Sequence, residues 1–430
     1  MGLEQAKLGR WVEVGPTGNL TMDTLPFNWS VTTHSADSAI TDSAAAATAI
    51  ATGVKTNNGM LGQTPVGTDL NTILDTAESL GKSTGLVSST SYSHATPAAF
   101  YANVASRSSY SVITQQLVDE NDVDVILSGG FSGFTAEQLT TMQSKGYTIV
   151  QNRTELAAIS SGKILGMFND SYYPDELSRN LTLVPSLEEM TNRSIEILSQ
   201  DPDGFFLMIE GGQIDWASHD NDKIGTALEA IAFDKAVNIS LQYVQAHSNS
   251  ILLVTADHET GGLTVISNTL SQELPSDSNS ESDNRNLRVE RANNITTTWT
   301  TTGHTATPVP LFMYGSALSA FPASYDIDNT GIFVIMDTYF SGSTLNTSIF
   351  EPTTTTTATP TTTTATNQSS TTSPTIPSST TSTERSSSTT ESTSTPPLLP
   401  QPLEGAIILL IFSAAAIAII ASILMRKRRI

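Results

Sequence analysis

The chain has 430 residues, no cysteine, 20 Lys and Arg against 42 Asp and Glu, and a formal net charge of −22. Disulfides and thiolate catalysis are excluded. So large an acidic excess also argues against nucleic acid as a bound partner, because its phosphates would be repelled.

In chain order, the first strong signal is Ala44-Ala45-Ala46-Ala47-Thr48-Ala49-Ile50-Ala51, a run of high helix propensity. Asp42 and Ser43 stand at its start. Unpaired N–H groups and the positive end of the helix dipole favour an anion there. A plain helix cap is the competing reading. A helical pattern follows over Asn71–Leu80, then apolar strand-like runs at Ser83–Ser88, Val123–Leu127 and Gly146–Val150. Ser128-Gly129-Gly130 after the second of these reads as a turn only, since a glycine pair is a weak signal.

Three further clusters pair carboxylates with histidines. The strand-like run Gly204–Ile209 leads into Glu210, at the carboxyl end where open α/β sheets place their ligands. Asp215 and His219 lie four apart, so on a helix they share one face. A carboxylate and an imidazole so placed suit zinc, although the same spacing also describes an ordinary solvated face. After a long helical pattern at Lys223–His247, the run Ile251–Thr255 ends in Asp257-His258, and Gly261-Gly262 permit a tight turn behind it. Residues 268–301 are polar and read as a surface excursion. His304 follows, just before the apolar run Val309–Met313. A serine at a helix start followed by such clusters suggests a hydrolase with more than one metal, the arrangement that serves phosphoryl transfer. Strands alternating with helices imply an α/β fold, a large mostly parallel sheet with helices on both faces.

The last eighty residues differ in kind. Residues 351–404 are mostly Thr, Ser and Pro, a composition that cannot bury a core and reads as a disordered stalk. Gly405 to Met425 is uncharged and apolar and reads as a transmembrane helix. Arg426-Lys427-Arg428-Arg429 then marks a cytoplasmic end, residues 426–430, which puts a catalytic domain at 1–350 outside the cell. The ten Asn-x-Ser/Thr sequons, at Asn19, Asn28, Asn152, Asn169, Asn180, Asn192, Asn238, Asn294, Asn346 and Asn367, are compatible with an exported glycoprotein.

These motifs, in this order from the start of the chain to about residue 340, resemble the alkaline phosphatases. The resemblance implies that Ser43 is the nucleophile that becomes phosphorylated, and that Asp42 orients the phosphate-binding arginine. Val104-Ala105-Ser106-Arg107 supplies that arginine, Arg107, whose forked guanidinium suits bidentate contact with phosphate. His94-Ala95-Thr96-Pro97-Ala98-Ala99-Phe100-Tyr101 resembles a family block in which Thr96 binds a third metal, usually magnesium, and Glu210 matches another ligand of that ion. Asp215, His219 and His304 match the ligands of one zinc. Asp257 and His258 match ligands of a second, which holds the serine oxygen. The implied cofactors are two zinc ions and one magnesium. The implied reaction is double displacement of a phosphate monoester through a phosphoserine. Family members are often homodimers.

Two departures matter. The family has a Gly-Asp-Gly-Met-Gly turn after its first long strand, and its aspartate bridges two metals. Met1-Gly2-Leu3-Glu4 resembles the tail of that turn. With no export signal at Met1 either, an N-terminally shortened sequence is the expectation. His94 and Trp216 stand where the best-known bacterial member has Asp and Lys, which leaves the third metal's identity open and assigns both residues to binding or tuning it. A related phosphodiesterase or sulfatase is the second enzymatic reading. Ser43 lacks the Pro and Arg that follow a sulfatase nucleophile, and diesterases commonly use Thr. A surface protein that only binds metal or a partner is the non-enzymatic reading.

Overall fold

The computed structural model describes residues 1–119, 122–270, 273–350 and 405–412. Fourteen strands occur among the described residues. They are β1 (Phe27–Thr32), β2 (Ser83–Ser91), β3 (Val125–Gly129), β4 (Thr148–Val150), β5 (Ile164–Met167), β6 (Phe205–Glu210), β7 (Ile251–Ala256), β8 (Glu259–Thr260), β9 (Thr264–Asn268), β10 (Ile295–Thr298), β11 (His304–Thr305), β12 (Val309–Tyr314), β13 (Asp326–Asp328) and β14 (Ile407–Phe412). The α-helices are α1 (Leu3–Glu13), α2 (Ser43–Thr52), α3 (Ile73–Ser79), α4 (Ala95–Ala98), α5 (Tyr110–Asp119), α6 (Ala136–Ser144), α7 (Arg153–Ala158), α8 (Leu187–Leu198), α9 (Gln213–His219), α10 (Lys223–Ala246), α11 (Glu281–Asn293) and α12 (Thr330–Phe340).

Ten strands form one sheet in the order β13-β1-β12-β7-β14-β6-β2-β3-β5-β4. From β7 to β4 every pairing is parallel, and β12 runs antiparallel to both of its neighbours. This is the expected α/β class. Every residue of β6 and β7 is buried. Helices cover both faces of a parallel sheet, so its strands read as unbroken apolar runs. The six expected strands and the helices at Asn71–Leu80 and Lys223–His247 all form, with ends shifted by up to three residues. α3 and α8 start at reciprocal caps, Thr72 with Asp75 and Ser186 with Glu189.

The run at 405–425 departs from expectation. Ile407–Phe412 is not helical but the strand β14, seated parallel between β6 and β7 in the middle of the sheet. Gly405 also packs there. Gly204 has a left-handed φ of +87°, and a Cβ on it would strike the Gly405 backbone. An apolar run rich in Ile satisfies its backbone as well in a buried strand as in a bilayer helix, and hydrophobicity alone does not separate the two. The first part of the transmembrane helix read over Gly405 to Met425 is thus a buried strand, and residues 413–425 of it lie outside the described residues. Among the described residues no helix is long and apolar enough to cross a membrane. The stalk at 351–404 and the basic end at 426–430 lie outside the described residues.

Residues 268–301 are more than a surface excursion. α11 and β10 lie in this stretch and join α1, α10 and β9 around a second apolar cluster that includes Leu8, Val12, Ile231, Val265, Ala292 and Ile295. Arg291 is buried there and donates to the carbonyls of Val12, Trp11 and Glu273. Elsewhere α10 is tied to the chain start by Asp234, whose carboxylate accepts from the backbone N–H groups of Thr21 and Met22.

Leu409 is fully buried in β14. Leu409→Ala is expected to cost about 2–5 kcal/mol of stability, by transfer and cavity terms together. Denaturant unfolding measures this, and an unchanged midpoint would show that the segment sits elsewhere in solution. Burial raises the Asp234 pKa from 3.8 to about 6 despite the two backbone donors. The fold thus keeps a proton that the unfolded chain releases between those values. Stability should fall as pH rises through that window, by about 3 kcal/mol, and stay level above it. Comparing Asp234→Asn with the parent chain from acid to neutral pH isolates this contribution.

Candidate active site

The site lies at the carboxyl ends of β6 and β7 and the start of α2. Asp42 is the N-cap of α2. Its Oδ1 accepts from Ala45 N at 3.0 Å and from Gly59 N at 3.1 Å. Its Oδ2 accepts from Arg107 Nη1 at 2.9 Å. The capping reading and the arginine-orienting reading are thus both realised, one on each oxygen. Ser43 is the first helical residue and is fully buried. Its hydroxyl lies 3.3 Å from His258 Nε2 and also hydrogen-bonds the Asp257 carboxylate.

Asp215 and His219 share one face of α9, as their spacing predicts, and His304 joins them from β11. The two-residue ladder of β8 with β11 sets His304 opposite Thr260. The three side chains bring their ligand atoms within 4.8 Å of one another. Both imidazoles are oriented by carbonyls, His304 Nδ1 donating to Thr41 O at 2.8 Å and His219 Nδ1 to Thr302 O. A carbonyl only accepts, so each Nδ1 carries a proton and each Nε2 is turned inward. Those two Nε2 atoms face each other at 3.2 Å, and Asp215 Oδ2 lies 3.2 Å from His219 Nε2. Ring nitrogens that face each other beside a carboxylate call for a positive charge among them, and these three ligand groups fit a divalent cation.

The second group sits directly beside it. His258 stacks on His304 with ring centroids 3.6 Å apart. Burial pushes His258 well below the ordinary histidine value, while it drives Asp257 well above the carboxylate range. Asp257 Oδ1 accepts from His258 N, and its Oδ2 has no hydrogen-bond donor although fully buried. A buried carboxylate oxygen without a donor is costly unless a cation meets it, so this pair fits a metal as well. The amino group of Met1 lies nearby, donating to His258 O at 2.6 Å.

Glu210 ends β6 and is fully buried. Its Oε2 accepts from Thr90 Oγ1 at 3.0 Å and from Ser88 Oγ. Thr96 is buried in α4, which packs on β6. His94 Nε2 meets Arg107 Nη2 at 3.3 Å. Arginine only donates, so this nitrogen accepts, and the Nδ1–H points at Glu210 Oε1 from 3.8 Å, too far to bond. Here His94 spans the arginine and the carboxylate, which favours tuning over direct ligation. Trp216 stands edge-on to the His94 ring at 5.9 Å.

Sequence reasoning missed several partners. Thr260 donates to Asp215 Oδ1 and lies 3.3 Å from His258 Nδ1, and Ser88 and Thr90 hold Glu210. Asn58 fixes the Asp42 backbone, accepting from Asp42 N at 2.9 Å. Position within the Asp257-His258-Glu259-Thr260 motif was a usable signal for Thr260; the others had none. A charged cavity of about 680 Å³ between α8, α10 and α11 contains none of the site residues.

A serine at a helix start, an arginine steered by the cap, and two cation-binding clusters together define a site for chemistry on a phosphorylated substrate. Residues 7–287 match the family model described as alkaline phosphatase. The chain is 32% identical over 351 residues to alkaline phosphatase 3 of Bacillus subtilis, covering 68% of this chain and 75% of that protein. It is 40% identical over 237 residues to alkaline phosphatase 4 of the same organism, covering 53% of this chain and 51% of that one. Among solved structures, the cold-active alkaline phosphatase of Shewanella sp. superposes with a TM-score of 0.69 at 29% identity, covering 79% of this chain and 97% of that one. A variant of the enzyme from the Antarctic bacterium TAB5, solved with Mg bound in its M3 site, gives 0.66 at 28% identity over 79% and 94% of the two chains. The chain belongs to the alkaline phosphatase family, a family of phosphatase enzymes.

Because Asp42 divides its oxygens, two substitutions should separate its tasks. Asp42→Asn keeps an oxygen for the cap and loses the charge on Arg107. Stability should change by under about 1 kcal/mol, while inhibition by inorganic phosphate weakens roughly tenfold. Asp42→Ala should lose both, with about 0.5–2 kcal/mol of stability gone as well. Thermal unfolding and phosphate inhibition constants read the two effects independently.

Proposed function

We propose that this chain hydrolyses phosphate monoesters through a phosphoserine formed on Ser43. The observation that carries the reading is the position of Ser43 Oγ, at the start of α2 and 3.3 Å from His258 Nε2, with Arg107 held next to it by Asp42. Asp215, His219 and His304 would hold one zinc, and Asp257 and His258 a second. Glu210 and Thr96 would hold magnesium, with His94 and Trp216 tuning that site. Bound there, these cations supply Lewis acidity and positive charge to the attacking and departing oxygens. The chain's own residues supply the rest. Arg107 binds two phosphate oxygens through its forked donors and fixes the phosphorus in front of Ser43. The Ser43 oxygen attacks in line, its bond to phosphorus forms, and the ester bond breaks with the alcohol leaving protonated. Water then attacks the phosphoserine, the Ser43–phosphorus bond breaks, and inorganic phosphate departs while Ser43 regains its proton.

The reading extends to a position outside the cell as a glycoprotein and to a homodimer. It takes support from the sequons and from family habit. A membrane span over 405–425 would need Ile407–Phe412 to leave β14.

Phosphate release from an aryl phosphate monoester at alkaline pH, with zinc and magnesium supplied, tests the activity. The parent chain should turn over and Ser43→Ala should not. Turnover surviving in Ser43→Ala would overturn the phosphoserine mechanism. His304→Ala should bind one zinc fewer by elemental analysis and lose more than about 100-fold in rate, a larger loss than removal of a partner outside the ligand set.

A further inference from the structure

Four rings line up beside the phosphate clamp. His94 touches Arg107, Trp216 stands perpendicular to His94, and Tyr172 stands perpendicular to Trp216 with centroids 4.7 Å apart and planes at 88°. Tyr110, at the start of α5, and the Arg107 guanidinium both act electrostatically on the Tyr172 hydroxyl. The innermost ring is buried, Trp216 and Tyr172 are partly exposed, and the outermost reaches solvent. His94 is 2% exposed, Tyr110 is 43% exposed, and Tyr172 is half-buried.

The backbone under Tyr172 is fixed from three sides. Asn169 Nδ2 donates to Tyr172 O, Tyr173 N donates to Thr90 O at 2.9 Å, and Gln213 Nε2 donates to Tyr173 O at 2.6 Å. Thr90 also holds Glu210, and Gln213 opens α9, so the loop is tied to the elements that carry the site. Gly129 at the end of β3 lets the loop approach, since a Cβ there would fall 2.6 Å from Tyr172 C. The Trp216 indole N–H has no hydrogen-bond partner, so ring contacts alone hold Trp216 against Tyr172.

Tyr172 is thus a partly exposed ring whose backbone is tied to the site and which packs on the ring chain that ends at Arg107. We propose that Tyr172 is a specificity-determining residue, an aromatic wall that positions the leaving group and favours aryl over alkyl phosphate monoesters. This rests on the phosphomonoesterase reading above. Edge-to-face and offset contacts between rings are modest, so the preference is a matter of several-fold, not of orders of magnitude.

The test compares kcat/KM for phenyl phosphate and glycerol phosphate in the parent chain, Tyr172→Phe, Tyr172→Leu and Tyr172→Ala. Tyr172→Phe should keep the aryl preference. Tyr172→Leu and Tyr172→Ala should lose about three- to tenfold on phenyl phosphate, chiefly through KM, and stay within about twofold on glycerol phosphate. Inhibition by phenylphosphonate should weaken in parallel while inhibition by inorganic phosphate does not. An aryl-to-alkyl ratio unchanged in Tyr172→Leu and Tyr172→Ala would overturn the proposal. Equal losses on both substrates would overturn it too, assigning Tyr172 to support of Trp216 alone. A parent chain that releases phosphate from neither ester would instead overturn the underlying functional reading.

Discussion

Two imidazole nitrogens face each other across 3.2 Å in a largely buried site beside a carboxylate, an arrangement that calls for a positive charge among them. The geometry around the site answers that constraint. The carbonyls of Thr41 and Thr302 fix the tautomers. α9 holds Asp215 and His219 on one face, and the short β8–β11 ladder brings His304 to meet them. Thr41 immediately precedes Asp42, so the segment that orients His304 also begins the nucleophile's helix. Shifting α2 would disturb the arginine clamp and the first metal cluster together.

Burial sets the character of each group. His258, His304 and Asp257 all sit where water does not reach well, and their charged forms are disfavoured there. Neutral imidazoles are good ligands, and an under-bonded buried carboxylate is a strong one. The low-polarity surroundings that make these residues expensive to keep without a cation make them effective with one. Arg107 contrasts with them, since Asp42 and His94 satisfy it before any phosphate arrives. A bound phosphate therefore meets a guanidinium already aimed.

Much of this was legible in the sequence, for definable reasons. Glu210, Asp257 and His258 announce themselves because polar residues directly after long apolar runs are anomalous unless something binds there. Parallel strands with both faces covered read as those runs, which is why β6 and β7 were visible. Other features leave no such trace. Ser88 and Thr90 are two hydroxyls in a chain full of them, and the carbonyls of Thr41 and Thr302 are blind to side-chain identity. Phe27-Asn28-Trp29-Ser30-Val31-Thr32 alternates with the period of a half-buried strand, a readable signal for β1 that was not among the expected strands. The run from Gly405 misled because apolarity names a non-aqueous host without saying whether it is lipid or sheet.

The placement of β14 also has a bearing on how the chain acquires its shape. Ile407 pairs with Phe206, 407 − 206 = 201 positions upstream, and with Ile251, 407 − 251 = 156 positions upstream. A vectorially synthesised chain therefore carries two apolar strand edges that face each other across a gap until residue 412 has been made. Pairings of such sequence separation form slowly, and edges left open meanwhile invite association with other chains. Completion of the sheet between β6 and β7, whose carboxyl ends carry Glu210 and lead to Asp257, thus belongs to a late stage of folding.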